Sequence, residues 1–159
     1  PFNIFLWTGY ADSGDTIHAG LYSLFDSGEP VQFQKVEKNS HLIEDSMDRE
    51  AVETAIWFSR GYYTVSKDPG TAQLVFHDLK FGRSDLWLTG SAPYTWNYRF
   101  IEDPQTGKIV GFDRSEPSFN RENGLLTMFW ERIKGRDPAG EAGKATLESS
   151  DNEAAVSGR

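Results

Sequence analysis

Short alternating runs, each closed by a turn signal, restrict this chain to folds built around antiparallel strands. Three such runs, at 3–8 (NIFLWT), 16–26 (TIHAGLYSLFD) and 31–38 (VQFQKVEK), are separated by the turn-forming stretches GYADSGD and SGEP. In the second run Ile17, Ala19, Leu21, Ser23 and Phe25 share one face, with His18, Gly20, Tyr22 and Leu24 on the other. Short turns between consecutive strands predict an antiparallel meander. The strand pattern resumes at 62–66, 72–81, 86–90, 95–102 and 109–115, with KDPGT and DPQTGK as further turns.

Twice the period lengthens to that of a helix. Over 47–60, Met47, Ala51, Val52, Ala55, Ile56 and Ser59 form an apolar stripe, with Asp45 or Ser46 as cap and Gly61 as stop. Over 120–134, Leu125, Leu126, Phe129, Trp130 and Ile133 form a second stripe, capped by Asn120 and ended by Gly135. The prediction is an α+β fold: a mostly antiparallel β-sheet with one central amphipathic helix and one C-terminal helix. It occupies a single domain, 1–135. In the polar stretch 136–159, Leu147 and Val156 are the only large aliphatics, too few to offset the entropy of ordering it. That tail is expected to be disordered.

Composition narrows the function classes. The 11 Phe, 6 Tyr and 5 Trp predict an aromatic-rich core. A net charge of −8 argues against a nucleic-acid partner, which calls for clustered Lys and Arg. The absence of cysteine excludes disulfides, thiol nucleophiles and Cys-based zinc sites. No run approaches the length of a membrane span. The chain opens at Pro1 and runs at once into apolar sequence, which reads as a domain cut from a longer protein.

Candidate chemistry centres on QLVFHDLKFGR, residues 73–83. Strand alternation places Leu74, Phe76, Asp78 and Lys80 on one face and Val75, His77, Leu79 and Phe81 on the other. His77 and Asp78 therefore point apart and form no dyad with each other. Asp78, Lys80 and Arg83 make up the possible polar site, with a structural ion pair as the simpler account. His18, His41 and His77 lack the spacing of a metal-binding motif, so no metal ligand is assigned. A Ser-His-Asp arrangement assembled by the fold stays open, although no G-x-S-x-G elbow is present. Tyr22, Trp57, Trp87 and Trp96 are the residues that could line an apolar ligand groove.

The order of PFNIFLW, HAGLYSLFD, AIWFSRGYYTV, LVFHDLKFG and WERIKG resembles the soluble C-terminal region of the bacterial inner-membrane metal-dependent hydrolases, over about residues 1–135. This resemblance implies an extramembrane accessory domain of a membrane-bound hydrolase, non-catalytic by itself. The divalent metal and its ligands would belong to the membrane-embedded N-terminal half, which would also be this domain's partner. No catalytic residue carries over onto this chain. Where the family reads D-L-R, this sequence has Asp78-Leu79-Lys80, and lysine lacks the planar fork for bidentate contacts. The alternative is a small ligand-binding or protein-interaction module with an aromatic-lined sheet face.

Overall fold

In the computed structural model, residues 4–28, 30–46, 49–115 and 124–136 are described. The alternating runs become β1 (Leu6–Asp12), β2 (Thr16–Ser23), β3 (Phe33–Glu37), β4 (Tyr63–Lys67), β5 (Leu74–Asp78), β6 (Asn97–Glu102) and β7 (Ile109–Arg114). The helices are α1 (Glu50–Ser59) and α2 (Leu125–Ile133). Short 3-10 turns occupy Ser40–Leu42, Glu44–Ser46 and Leu79–Phe81. The architecture is the α+β, mostly antiparallel fold that the periodicities predict. The strands divide into two sheets, ordered β1-β2-β3 and β4-β5-β6-β7, and among the described residues every strand pairing is between sequence neighbours.

Several local readings give way to tertiary structure. β1 runs through Gly9 and Tyr10 to Asp12, because Gly9 pairs with Gly20 and Tyr10 with Ala19 across the ladder. Continuous pairing outweighs the turn composition of GYADSGD, and the reversal shrinks to Ser13–Asp15, where the Asp12 carboxylate accepts the Gly14 N–H. The expected strand at 86–90 is instead a loop. Its hub is buried Asp85, which accepts from the backbone N–H groups of Trp87 and Thr89. Leu86 and Trp87 are left-handed, with φ of 57° and 68°, a conformation incompatible with a strand. α1 begins at Glu50 with an extended Arg49 before it, rather than at an Asp45 or Ser46 cap. Ser46 lies in a 3-10 turn and accepts from the Ile109 N–H. Residues 1–3, 47–48, the Asn120 cap and the 137–159 tail lie outside the described residues.

Two apolar clusters hold the chain together. One face of the four-stranded sheet, with Val65, Phe76, Tyr98 and Phe100, packs on Val52 and Ala55 of α1. The second cluster joins Ile17, Ala19 and Val36 of the first sheet to Leu79 and Trp87. The stretch 79–94 is thus the joint between the sheets. Gln34 donates to the Trp87 carbonyl of this joint at 2.7 Å, and beside it the end of β3 meets β4 directly, the Val65 N–H donating to the Lys38 carbonyl at 2.9 Å. The last residue of β3, Glu37, also accepts from the Thr64 hydroxyl at 2.7 Å through its carbonyl.

Candidate functional site

β5 ends at Asp78 because its side chain caps the following turn. Asp78 Oδ1 accepts from the Lys80 N–H at 3.0 Å, and Lys80 Nζ lies 3.6 Å from Oδ2. The carboxyl group is 0% exposed, and Oδ2 has no hydrogen-bond partner. Burial pushes its pKa up, against the lowering effect of the Lys80 amide and ammonium. The ammonium also donates to the Phe58 carbonyl and sits 4.5 Å from the Phe58 ring centre. Arg83 takes no part in this pair. Its guanidinium lies 4.2 Å from the Tyr94 ring centre and donates to the Tyr94 hydroxyl and the Ala92 carbonyl. The candidate trio therefore separates into a buried Asp78–Lys80 cap and an arginine in a different setting.

The cap's contribution is measurable. Asp78→Ala removes the side-chain cap and is expected to cost about 1 kcal/mol of unfolding free energy, whereas Asp78→Asn keeps an acceptor and costs less. The pH dependence has a defined sign. Because the folded pKa lies above the ordinary 3.8, stability falls as pH rises from that value through the folded one. Thermal unfolding between pH 3 and 7 should show that fall in the native chain and its loss in Asp78→Asn.

On the opposite face of the same sheet lies a polar constellation. The β4–β5 register places Thr64 opposite His77, and the β5–β6 register places Asn97 opposite His77 on the other side. Ser66, two residues beyond Thr64, projects from the same face and reaches His77 diagonally. Ser66 Oγ is 2.8 Å from His77 Nε2, and His77 Nδ1 is 2.6 Å from Asn97 Oδ1. The Asn97 amide donates through Nδ2 to the Tyr94 carbonyl at 3.0 Å, so its oxygen must face the imidazole. Nδ1 then carries the imidazole proton, and Nε2 is left as the acceptor for the Ser66 hydroxyl. Burial, helped by the charge of Arg83, holds the His77 pKa below its ordinary 6.5, while the Asn97 hydrogen bond acts in the other direction.

These side chains open into a pocket of about 550 Å³, walled by Lys35 and Glu37 of β3, by Asn39, and by Arg83 and Tyr94. The Tyr94 ring lies 4.7 Å from that of His77. Arg83 Nε is buried without a hydrogen-bond partner, and among the described residues no carboxylate pairs with this guanidinium. Sequence reasoning separates His77 from Asp78 but misses Ser66 and Asn97 as its partners. The signal was present in the KDPGT turn, since a hairpin closed there places 64 opposite 77 and 66 on the same face.

The remaining candidates do not gather. Trp87 is buried in the second cluster, donating to the Tyr10 hydroxyl at 3.0 Å. Trp57 stands 77% exposed on α1, and Tyr22 lies on the outer face of β2 opposite Trp7. Trp96 stacks on Phe81 at 4.6 Å, with the Arg114 guanidinium over its ring. The expected aromatic-lined groove from these four is therefore corrected, because a strand, a helix and two loop positions carry them to separate surfaces. His18 contacts Ser13, and His41 is exposed in a 3-10 turn, so neither hydrogen-bonds to Asp78. Among the described residues no three His, Asp or Glu side chains form a metal-ligand group.

A different surface is conspicuously apolar. Ile4, Trp7, Leu24 and Phe25 are exposed where β1 begins and β2 ends, with Phe5 packed 5.4 Å from Phe25. α2 docks at this end through Ser23, whose hydroxyl donates to the Ile133 carbonyl, and through Arg132, which pairs with Asp26. That helix adds exposed Leu126 and Trp130. Among the described residues no helix is long and apolar enough to cross a membrane. Comparison of the chain with protein-family profiles, characterised proteins and solved structures gives no match.

Proposed function

We propose that this chain is the extramembrane accessory domain of a membrane-bound metal-dependent hydrolase of the bacterial inner membrane. It would sit on the membrane-embedded part of its own polypeptide, where the divalent metal and its ligands would lie. The observation that carries this reading is the apolar end surface: Ile4, Trp7, Leu24, Phe25, Leu126 and Trp130 are all more than half exposed. Exposed large side chains concentrated at one end of a domain mark an interaction surface rather than ordinary scatter. The motif order in the sequence supports the same partner.

The test uses the whole gene product with a photo-cross-linking benzoyl-phenylalanine at position 7 or 130. The expected result is an intramolecular cross-link from either position to an apolar span of the same polypeptide. Position 57 on α1 and position 110 on β7, also exposed, should give none. Recovery of the gene product wholly outside the membrane fraction, or equal cross-linking from all four positions, overturns the proposal.

A further inference from the structure

The pocket above the four-stranded sheet has no role in that docking, and its geometry stands independently of it. We propose that Ser66, His77 and Asn97 form a hydroxyl-activating relay, and that the pocket takes a small carboxylic ester with an anionic end. Nucleophilic serine chemistry requires a hydroxyl on a base, and a third group that fixes the base's orientation and tautomer. All three relations are present: Ser66 Oγ to Nε2 at 2.8 Å, Nδ1 to Asn97 Oδ1 at 2.6 Å, and the Asn97 amide pinned by the Tyr94 carbonyl. The Tyr94 ring packs against the imidazole at 4.7 Å, so with its two hydrogen bonds the imidazole is oriented before any substrate arrives. The lowered pKa keeps it neutral at pH 7, able to accept a proton.

The step balances without a cofactor. Ser66 Oγ attacks the ester carbonyl carbon while its proton passes to His77 Nε2. The tetrahedral adduct collapses, the carbon–oxygen bond to the alcohol breaks, and the alcohol leaves with that proton. Water then adds to the acyl-serine, giving its proton to Nε2. Collapse returns the proton to Ser66 and releases the acid. Arg83 supplies the specificity: a guanidinium on the pocket wall with a free buried Nε and no carboxylate partner suits a substrate carboxylate.

A fluorophosphonate probe tests the nucleophile. Attack by Ser66 forms a P–O bond, expels fluoride and leaves a stable adduct that peptide mass spectrometry locates. The expected outcome is an adduct on Ser66, lost in Ser66→Ala and formed roughly 100-fold more slowly in His77→Gln. No adduct at Ser66, or an undiminished rate in a folded His77→Gln variant, overturns the relay. A second variant guards against misfolding. The chain has no cysteine, so Ser66→Cys carries the sole thiol. Its alkylation by iodoacetamide at pH 6 should exceed that of Ser66→Cys with His77→Gln by roughly 10-fold or more, through a thiolate paired with the imidazole. Equal rates overturn the proposal. For the substrate class, p-nitrophenyl hemisuccinate should turn over faster than p-nitrophenyl acetate, and Arg83→Gln should abolish the difference. Equal turnover of the two by the native chain overturns the anionic assignment.

Discussion

Arg132→Ala is expected to release α2 from the first sheet. Arg132 holds Asp26 through two contacts of 2.5 and 2.8 Å and donates to the Leu21 carbonyl at 2.7 Å. Both side chains of the pair are largely buried, so removing the cation leaves a carboxylate in a poorly solvated site. Breaking such a pair costs about 3 kcal/mol or more. α2 has little else to resist with, because Ile133 is its only buried residue and a helix of nine residues is not stable alone. Hydrogen exchange should therefore show the α2 amides approaching free-peptide rates, while those of β5 keep their protection. The variant should also lose an acid-sensitive component. The Arg132 hydrogen bonds hold the Asp26 pKa below its ordinary 3.8, with burial opposing and the Ser23 N–H assisting. A depressed folded pKa contributes stability that is complete above 3.8 and lost as pH falls through the folded value. Protection of α2 measured between pH 2 and 5 should decline in the native chain. In Arg132→Ala it should be low throughout.

Phe76→Ala should produce the largest global loss. Phe76 is 0% exposed at the centre of the four-stranded sheet. It stacks on Tyr63 at 4.9 Å and meets Phe100 edge-on at 5.8 Å and Tyr98 at 6.3 Å. Truncation removes a buried ring from the centre of this cluster and leaves a cavity that the close-packed neighbours fill only in part. The expected cost is about 3–5 kcal/mol, a large fraction of the stability of a domain of this size. Urea unfolding should show it as a lower midpoint at unchanged slope. Trp57→Ala, at an exposed site, should shift the midpoint little, within about 0.5 kcal/mol.

The contrast between Phe76 and Trp57 shows what the sequence reveals and what it withholds. Alternation along β5 puts Phe76 and His77 on opposite faces, and the hairpin turns identify strand pairings, because both are local properties; which face is inward was not legible. Trp57 lies off the apolar stripe of α1 and faces outward as that period requires, but whether it joins other aromatics in a groove depends on tertiary placement that the period does not carry. The 86–90 stretch has strand composition but becomes a loop, because Asp85 offers its backbone a side-chain ladder that composition does not reveal. The division into two sheets falls elsewhere, between β3 and β4, where two 3-10 turns and α1 interrupt the run of strands. The pocket was half legible: the opposite facing of His77 and Asp78 comes from alternation. Ser66 and Asn97 belong to flanking strands, so recognising them requires the register of two pairings at once. Arg83 is grouped with Asp78 by proximity in sequence, but the turn at Leu79–Phe81 and Gly82 carries it to the other side of the sheet.

Pairing only between sequence neighbours also has a kinetic consequence. Apart from the 79–96 connection between β5 and β6, the loops closed within either sheet are short, so most of the ordering entropy is met by contacts close in sequence. The joint at 79–94 is different, because Trp87 reaches its site only when Ile17, Ala19 and Val36 are already aligned. We expect the joint to complete last on the folding route. A wall of the Ser66 pocket, including Arg83 and Tyr94, belongs to that late segment. Lys35 and Glu37 wall the same pocket from the first sheet, so it is complete only where the two sheets meet.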